Sequence, residues 1–277
     1  MGWTLSDSVT EFLAAAGPLL EAHPAQNTVL LTVSARIATV GADAFGDGPP
    51  LFGWWRADER SPVSGAMVVA PPFPLRLSAM PVHAAAELVG ELPSWPGEVS
   101  GPPPIAEEFA TAWSAQTGGT VHTRLEARLY RLGKLAVPSA PGESVRASSE
   151  HRDLLVEWIA AFADELNIPH GDPEGVVDSR LDSGSIALWQ VDEPVSIAAA
   201  SQVVAGMARI GPVYTPPRWR GHGYGGASTA AASADALARG ATDVVLFADV
   251  ANPTSNSIYQ KIGFRAIADD VILALQP

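Results

Sequence analysis

The stretch RWRGHGYGG, residues Arg218–Gly226, contains four glycines and two arginines and precedes an alanine-rich run with helical spacing. Glycines allow the backbone to adopt positive φ and to approach a ligand closely. The first amide groups of a helix have no intrahelical partner, and the helix dipole adds partial positive charge there. A strand, a glycine-rich loop and a helix start therefore predict an anion site, most simply for phosphate.

Two nucleotide-binding motifs do not fit this stretch. The phosphate loop GxxxxGK[ST] needs a Lys-Ser or Lys-Thr pair, and none follows the glycines. The dinucleotide fingerprint, read as Gly221, Gly223 and Gly226, needs an acidic residue that closes the next strand of a parallel βαβ unit. Asp243 has the right spacing but begins its strand, and the strands before the loop have the pattern of an antiparallel meander. A different phosphate loop and a plain turn into a helix remain as alternatives.

Residues Arg220–Gly225 form the pattern RxxGxG, which resembles the pyrophosphate-binding loop of the GNAT superfamily of acyl-CoA-dependent N-acyltransferases. A second stretch, Asn252–Phe264 (NPTSNSIYQKIGF), resembles the family's next motif, which is an Asn, a short helix bearing a Tyr, and Gly-Phe. One strand separates the two stretches, as in the family. The resemblance covers about residues 144–274, and it is specific because both motifs occur in the expected order.

The resemblance implies acetyl-CoA as the cosubstrate. Its pyrophosphate would lie on the backbone amides of Gly221–Gly226 and its pantetheine arm on the edge of the preceding strand. The cofactor-binding residues that the resemblance implies are Val213, Tyr214, Thr215, Arg220, Gly221, His222, Gly223, Tyr224, Gly225, Gly226, Asn252 and Asn256. Three alternatives stay open: Arg220 as a surface charge that steers anions, Val213 and Thr215 as ordinary strand residues, and Asn252 as a helix cap.

Tyr259 is the residue that the resemblance implies as proton donor to the departing thiolate. A phenol with a pKa near 10 is protonated at neutral pH; the alternative is an aromatic ring packed on the core. The chain has no cysteine, so an acyl-cysteine intermediate is excluded and direct transfer to a bound amine is favoured. The strand MARIGPVYT lacks the acidic residue that family members often carry before the loop, which leaves the general base unidentified. Its candidates are Glu157, Glu165, His170 and Asp249.

The net charge of −13 argues against nucleic acid or an anionic membrane surface as the main partner. The charge is unevenly spread: residues 143–193 hold twelve acidic side chains against three arginines, and residues 194–239 hold four arginines against one Asp. The first zone suits a cationic amine acceptor and the second an anionic cofactor; the alternative is two solvated faces. Without cysteine, disulfides and thiolate zinc sites are excluded, and we expect no metal.

Both halves of the sequence have the same coarse order of elements: helix, three strands, helix, strand, helix, strand. We therefore expect an α/β (α+β) protein of two tandem GNAT-like domains, each a mixed, mostly antiparallel sheet flanked by helices. The predicted domains are residues 1–137, which are degenerate, and residues 145–277, which are catalytic, with a Pro-rich and Ser-rich linker over residues 136–144. Residues 27–40 fit either a helix or a strand. Residues 94–104 and 168–182 are predicted to be irregular.

The first half has SAMPVHAAAE where the glycine loop would stand, so we expect one cofactor site per chain. The predicted function is an N-acetyltransferase that moves the acetyl group of acetyl-CoA directly to a primary amine on a small molecule or peptide. The alternatives are a non-catalytic acyl-CoA-binding or regulatory module and, because of Trp54-Trp55 and Pro102–Pro104, a protein-interaction scaffold. With no signal-peptide pattern and no apolar run long enough to cross a membrane, we expect a cytoplasmic monomer or homodimer.

Overall fold

The structure, a computed structural model, describes residues 2–46, 48–169 and 171–277. The chain forms two compact units. Unit 1 consists of Met1–Leu129, Asp249–Ala251 and Ala268–Pro277, and unit 2 consists of Tyr130–Ala248 and Asn252–Ile267. The units therefore differ from the contiguous ranges 1–137 and 145–277. Residues 268–277 belong to unit 1 because they pair with a strand from the first half of the chain, Val271 opposite Gly101 and Ala274 opposite Glu98.

The two halves of the chain contain the same succession of elements. The first half has β1 (Trp3–Ser6), α1 (Val9–Ala22), α2 (Thr28–Val40), β2 (Leu51–Trp55), β3 (Gly65–Val69), β4 (Leu75–Leu77), α3 (Val82–Glu91), β5 (Glu98–Gly101), α4 (Pro103–Thr117) and β6 (Thr120–Leu132). The second half has β7 (Glu143–Arg146), α5 (Arg152–Leu166), α6 (Pro173–Ser183), β8 (Ile186–Gln190), β9 (Pro194–Ala200), β10 (Met207–Tyr214), α7 (Tyr224–Ala238), β11 (Asp243–Asp249), α8 (Pro253–Lys261) and β12 (Phe264–Gln276). Each half runs strand, two helices, three strands, helix, strand, helix, strand, so the predicted repetition of element order is confirmed.

Unit 1 is a mostly antiparallel sheet covered by helices. Strands β1 to β4 pair antiparallel in sequence order, β4 pairs parallel with β5, and β5 pairs antiparallel with the end of β12. Its core packs the sheet against α3 and α4, with Leu75, Leu88 and Phe109 fully buried. A buried ion pair joins Arg76 on β4 to Asp270 on β12, at 2.7 and 2.6 Å. The parallel pair β4–β5 thus lies between two antiparallel parts of the sheet.

Strand β5 corrects the prediction that residues 94–104 are irregular. Val99 is the only large apolar residue among its four, so the strand has no hydrophobic alternation of its own. Its pairing partners are β4 and the last strand of the chain, and β12 is distant in sequence. A local pattern does not contain that information, because the pairing is a tertiary effect.

Unit 2 repeats this arrangement. Strands β7 to β10 pair antiparallel in sequence order, and β10 pairs parallel with β11. Alternate residues of β9 face opposite sides of the sheet. Ala198 and Ala200 pack in the cluster that includes α7, and Ile197 and Ala199 pack in the cluster that includes α5 and α6. Helices therefore cover both faces, as the predicted fold class requires.

Helices α2 and α6 lie in two segments whose secondary structure the sequence left open or predicted to be irregular. Residues 28–40 are helical, which decides between the helix and strand alternatives. The irregular segment predicted for residues 168–182 is wrong, since α6 occupies most of it. Its start signals are present in the sequence: Asp172 caps the Gly175 amide at 3.0 Å, and Pro173 stands at the first helical position, where proline favours a helix.

Among the described residues, no helix is both long and apolar enough to cross a membrane.

Candidate functional site

Strands β10 and β11 separate at the end that precedes the glycine loop. Their parallel pairing covers Met207 to Arg209, opposite Asp243 to Val245, and stops there. On its other side β10 stays paired with β9, with a register irregularity between Ile210 and Val213. Arg180 on α6 donates to the Gly211 carbonyl at 2.8 Å and so holds the irregular segment. In the described part of the chain, the last residues of β10 therefore have no strand partner on the side toward β11, and an extended ligand can bind along this edge.

The loop after β10 is an open cradle of backbone amides. Gly221 and Gly223 have φ of +83° and +84°, the left-handed conformation that glycine adopts without steric cost. The first hydrogen bond of α7 runs from the Ala227 amide to the Gly223 carbonyl at 3.1 Å. Within the described part of the chain, the amides of residues 221–226 have no protein acceptor. Successive amides in such a turn at a helix start form an anion-binding concavity.

Three hydroxyl groups fix the loop to the sheet. Ser196 on β9 is fully buried, and its Oγ lies 2.8 Å from Thr215 Oγ1 and 3.0 Å from Ser228 Oγ. The same hydroxyl donates to the Tyr214 carbonyl at 3.1 Å. This cluster ties β9, the end of β10 and the first turn of α7 together. Neither Ser196 nor Ser228 could be predicted as a site residue, because lone serines 32 positions apart carry no local signal.

Arg220 is engaged by the protein itself. Its Nη2 lies 2.6 and 2.7 Å from the two carboxylate oxygens of Glu165 on α5, and its Nε donates to the Thr215 carbonyl at 2.9 Å. The guanidinium also stands 6.0 Å from the ring centre of Tyr214. The first residue of RxxGxG thus connects the loop to a helix on the opposite face of the sheet from α7.

Tyr214 lies beneath this ion pair and is buried against Trp158, with ring centres 6.1 Å apart. Burial raises the pKa of the Tyr214 phenol, and the nearby charge of Glu165 and the more weakly acting Glu157 add to this effect. The phenol is therefore neutral at physiological pH. The two glutamates lie about two turns apart on α5, and both carboxylates act on the Tyr214 phenol, so the acidic zone does reach the candidate site.

Helix α8 carries the second motif. Asn252 caps the helix by accepting from the Ser255 amide at 3.0 Å, which is the alternative role considered for it. Asn256 accepts from the Tyr130 hydroxyl at 2.7 Å and donates to the Asn252 carbonyl at 2.7 Å. Both amide side chains thus hold α8 in place. Their assignment to the cofactor stays a prediction.

Tyr259 is half-buried on α8, with its ring edge-on to Phe264 at 6.2 Å between centres. Desolvation raises the pKa of its phenol to about 12. The neighbouring Ile258 meets the start of α7, its Cγ2 standing 3.1 Å from the point where a Cβ on Gly226 would lie. Tyr259 therefore belongs to the helix that borders the amide cradle.

The other predicted cofactor residues lie along the loop. Val213 packs against the core cluster of α7 and β11, and Tyr224 is buried at the first position of α7. His222 is exposed and stacks on Tyr224, with ring centres 5.4 Å apart. Val213 and Tyr224 therefore have packing roles, whereas His222 stays accessible beside the cradle.

The candidate general bases are in different environments. Glu165 holds Arg220, and Asp249 accepts from the Ala251 amide at 2.7 Å in unit 1. Glu157 is exposed on α5 and, within the described residues, forms no hydrogen bond or ion pair. His170 lies outside the described residues. Of the four, Glu157 is the carboxylate that remains available near Tyr214.

Part of the acidic zone is neutralised by Arg152. Its guanidinium contacts Asp178 at 2.6 Å and Glu174 at 3.1 Å, which joins α5 to α6. The hydrogen bond from Arg152 lowers the pKa of Asp178, and the two carboxylates raise the pKa of Arg152. Many of the remaining acidic side chains of residues 143–193 are exposed and keep this side of unit 2 negative.

Unit 1 has no equivalent of the cradle among its described residues between β4 and α3. No residue there has positive φ, and α3 begins after Pro81 without a side-chain cap. Pro81 also has no amide hydrogen to contribute to an anion site. This difference agrees with the expectation of one cofactor site per chain, which remains a prediction.

Comparison with known proteins gives one family match over part of the chain and several solved structures with a similar fold. Residues 185–273 match the family described as FR47-like protein. No protein of curated function matches the chain by sequence. A GNAT-family acetyltransferase from Colwellia psychrerythraea has a similar structure, with a TM-score of 0.59 and 15% identity, covering 100% of both chains.

Two further solved structures show the same likeness. A GCN5-related N-acetyltransferase from Kribbella flavida has a TM-score of 0.53 and 20% identity, covering 78% of this chain and 88% of its own. A Drosophila protein has a TM-score of 0.68 and 14% identity, covering 97% of this chain and 96% of its own. At these identities the likeness concerns the fold. The resemblance expected from RxxGxG and NPTSNSIYQKIGF is thereby confirmed: the chain has the GNAT superfamily fold, and its residues 185–273 are similar to FR47-like proteins.

Proposed function

We propose that the protein is an N-acetyltransferase that moves the acetyl group of acetyl-CoA directly to a primary, cationic amine. The observation that carries this proposal is the combination of two features: within the described residues, the six amides of residues 221–226 have no protein acceptor, and the end of β10 beside them has no strand partner on the side toward β11. A ligand with a pyrophosphate and an extended arm fits both features at once. A plain turn into a helix requires neither.

The residues present fit such a cofactor. A Cβ on Gly221 would meet nothing within 4 Å, so the cradle is open to a ligand on that side. The amides of residues 221–226 would hold the pyrophosphate, and the edge of β10 at Val213–Thr215 would hold the pantetheine arm and supply an oxyanion donor. The Thr215 and Tyr214 carbonyls already accept from Arg220 and Ser196, so they are fixed in direction before a ligand arrives. When bound, acetyl-CoA supplies the thioester that the amine attacks.

Tyr259 would donate a hydrogen bond to the departing sulfur. With its pKa at about 12, the phenol is a weaker acid than a thiol, whose pKa is about 8.5. Complete proton transfer to the thiolate would therefore be uphill by about 5 kcal/mol. We assign Tyr259 the stabilisation of the developing charge, with the net proton coming from the attacking amine. Glu157, through water, is our proposed acceptor of that proton.

The test is a panel of amines with acetyl-CoA, followed by release of free thiol. Because the chain has no cysteine, the protein adds no thiol background. We expect turnover of a cationic amine with a Michaelis constant that rises with ionic strength. We also expect Tyr259→Phe to lower kcat about ten-fold without changing acetyl-CoA binding.

Two other results would change the conclusion. Binding of acetyl-CoA without turnover of any amine, unchanged in Tyr259→Phe, would indicate the non-catalytic acyl-CoA-binding module. Failure of acetyl-CoA to bind at all would remove both functions. A Michaelis constant for the amine that is insensitive to salt would contradict the role given to the acidic zone.

A further inference from the structure

Residues 136–141, AVPSAP, form an extended segment of unit 2 that lies beside the amide cradle, and we call it the strap. It is anchored at both ends. The Ala136 amide donates to the Ile262 carbonyl at 3.0 Å, just after α8, and Trp189 Nε1 donates to the Pro141 carbonyl at 2.8 Å, at the end of β8. The strap therefore follows a defined path from α8 toward the edge of the sheet.

Between these anchors, alternate side chains face the glycine loop. Pro138 Cγ lies 3.9 Å from the point where a Cβ on Gly226 would stand, and Ala140 Cβ lies 3.9 Å from the corresponding point on Gly223. Ala140 also packs against the buried cluster of Trp189, Val195, Tyr224 and Ala227. Val137 is 74% exposed and Ser139 is exposed, as alternation in an extended chain requires.

The composition of the strap suits a fixed wall beside an anion. Pro138 and Pro141 restrict the backbone, so holding the segment in place costs less conformational entropy. The strap has no charged side chain, although the chain as a whole has a net charge of −13. A carboxylate at this place would repel a phosphate, and none is present.

We propose that the strap is one wall of the acyl-CoA site and that Ala140 is its residue nearest to the cofactor's phosphates. This inference rests on the proposed function, because it takes the cradle at residues 221–226 as the pyrophosphate site. It adds a binding element that neither motif contains. The strap lies in the segment predicted from sequence to be a linker.

A pair of single charges at adjacent positions tests the proposal. Ala140→Asp places a carboxylate toward the cradle, and Ser139→Asp places the same charge toward solvent. By titration calorimetry with acetyl-CoA at low salt, we expect Ala140→Asp to weaken binding about ten-fold and Ala140→Lys to strengthen it, through charge repulsion and attraction over a few ångströms. Ser139→Asp should stay within about two-fold of the parent, since its charge is solvated. With S-acetylpantetheine, which has no phosphate, the effect of Ala140→Asp should vanish.

Equal effects at positions 139 and 140, or weakening by both Asp and Lys at position 140, would overturn the proposal and leave the proposed function intact. Absence of acetyl-CoA binding to the parent protein would instead overturn the proposed function and this inference with it. Hydrogen exchange on the unmodified protein gives a test that needs no variant. Acetyl-CoA should slow exchange of the amides at residues 139, 140 and 142, and unchanged exchange there would also count against the strap as a wall.

Discussion

Arg220 Nη2 bridges both carboxylate oxygens of Glu165, at 2.6 and 2.7 Å. The first residue of the RxxGxG pattern thereby joins the cofactor loop to α5, the helix that carries the acidic zone. The pair is about half exposed, with side-chain accessibilities of 49% and 43%, so its contribution to stability is at most about 1 kcal/mol. The main effect of the ion pair is therefore to orient the loop relative to α5.

We predict that Arg220→Ala and Glu165→Gln each weaken acetyl-CoA binding about two- to five-fold, because each releases the loop from α5. The double variant should be no weaker than the worse single variant, since one interaction is lost in all three. Calorimetric titration of the four proteins measures this. If Glu165→Gln instead tightens binding while Arg220→Ala weakens it strongly, Arg220 is a phosphate ligand that Glu165 restrains.

The conformation of Gly221 gives a second prediction. At φ +83° an L-residue is strained by roughly 1–2 kcal/mol, although a Cβ there would meet nothing within 4 Å. Gly221→Ala should therefore lower the unfolding free energy by about 1 kcal/mol and weaken acetyl-CoA binding about ten-fold, because the amides shift. Gly90→Ala in α3 is the matched control: its Cβ also meets nothing, and it should be neutral or stabilising by about 0.5–1 kcal/mol. Equal behaviour of the two variants in denaturant titration and calorimetry would refute the role of φ.

The parts of the site that could be predicted from sequence are those formed by residues close together in the chain. The loop Gly221–Gly226 and helix α8 each have their glycines, caps and spacing within about a dozen positions, and both form where predicted. Strand β5 and the buried Ser196 depend on partners distant in the chain, Val271 and Ser228 among them. No local periodicity marks such partners, because hydroxyl contacts and central strand pairings are set by the tertiary fold.

Helix α6 was missed for a different reason. A proline within a polar segment, such as Pro173, favours an irregular structure, but at the first helical position it lacks only an amide hydrogen that the helix does not use. With Asp172 as N-cap and Gly184 after the last turn, the local signals for a helix were complete. Helix α6 could therefore be predicted from the sequence. The ion pair between Glu165 and Arg220 could not, because the two residues lie 55 positions apart.

The buried ion pair in unit 1 gives a third prediction. Arg76 and Asp270 have side-chain accessibilities of 7% and 10%. Arg76→Met should lower the unfolding free energy by about 3–5 kcal/mol, because it leaves the Asp270 carboxylate buried without its cation. The double variant Arg76→Met with Asp270→Leu should recover most of this loss. Denaturant unfolding of Arg76→Met, Asp270→Leu and the double variant checks it, and additive losses in the double variant would contradict the explanation.

Glu157 provides a fourth prediction, which depends on the proposed function. Glu157→Gln should lower kcat about ten- to hundred-fold near pH 7, where the amine must lose a proton before attack. The difference from the parent should shrink above the pKa of the amine, because the substrate then arrives neutral. Glu150→Gln, also on an exposed glutamate of the acidic zone, is the charge-matched control and should leave kcat unchanged. A constant difference at all pH values would show that Glu157 acts by position or charge and not as a base.

The fifth prediction concerns Tyr259 and does not require the enzyme to be active. Its pKa in the folded protein is about 12, against about 10 in the unfolded chain. Because the folded pKa is raised, the contribution of the neutral phenol is fully present below pH 10 and is lost as pH rises toward 12, when the unfolded state ionises first. By pH 11.5 the parent should lose about 2 kcal/mol of unfolding free energy relative to Tyr259→Phe, which is most of the total for a two-unit difference in pKa. Denaturant titrations at intervals from pH 8 to 11.5 measure the difference.

Tyr130→Phe, whose parent hydroxyl donates to Asn256 at 2.7 Å, controls for loss of a buried hydroxyl. Parallel pH profiles for the parent and Tyr259→Phe would show that the phenol is hydrated, which would contradict the role of Tyr259 as a desolvated donor.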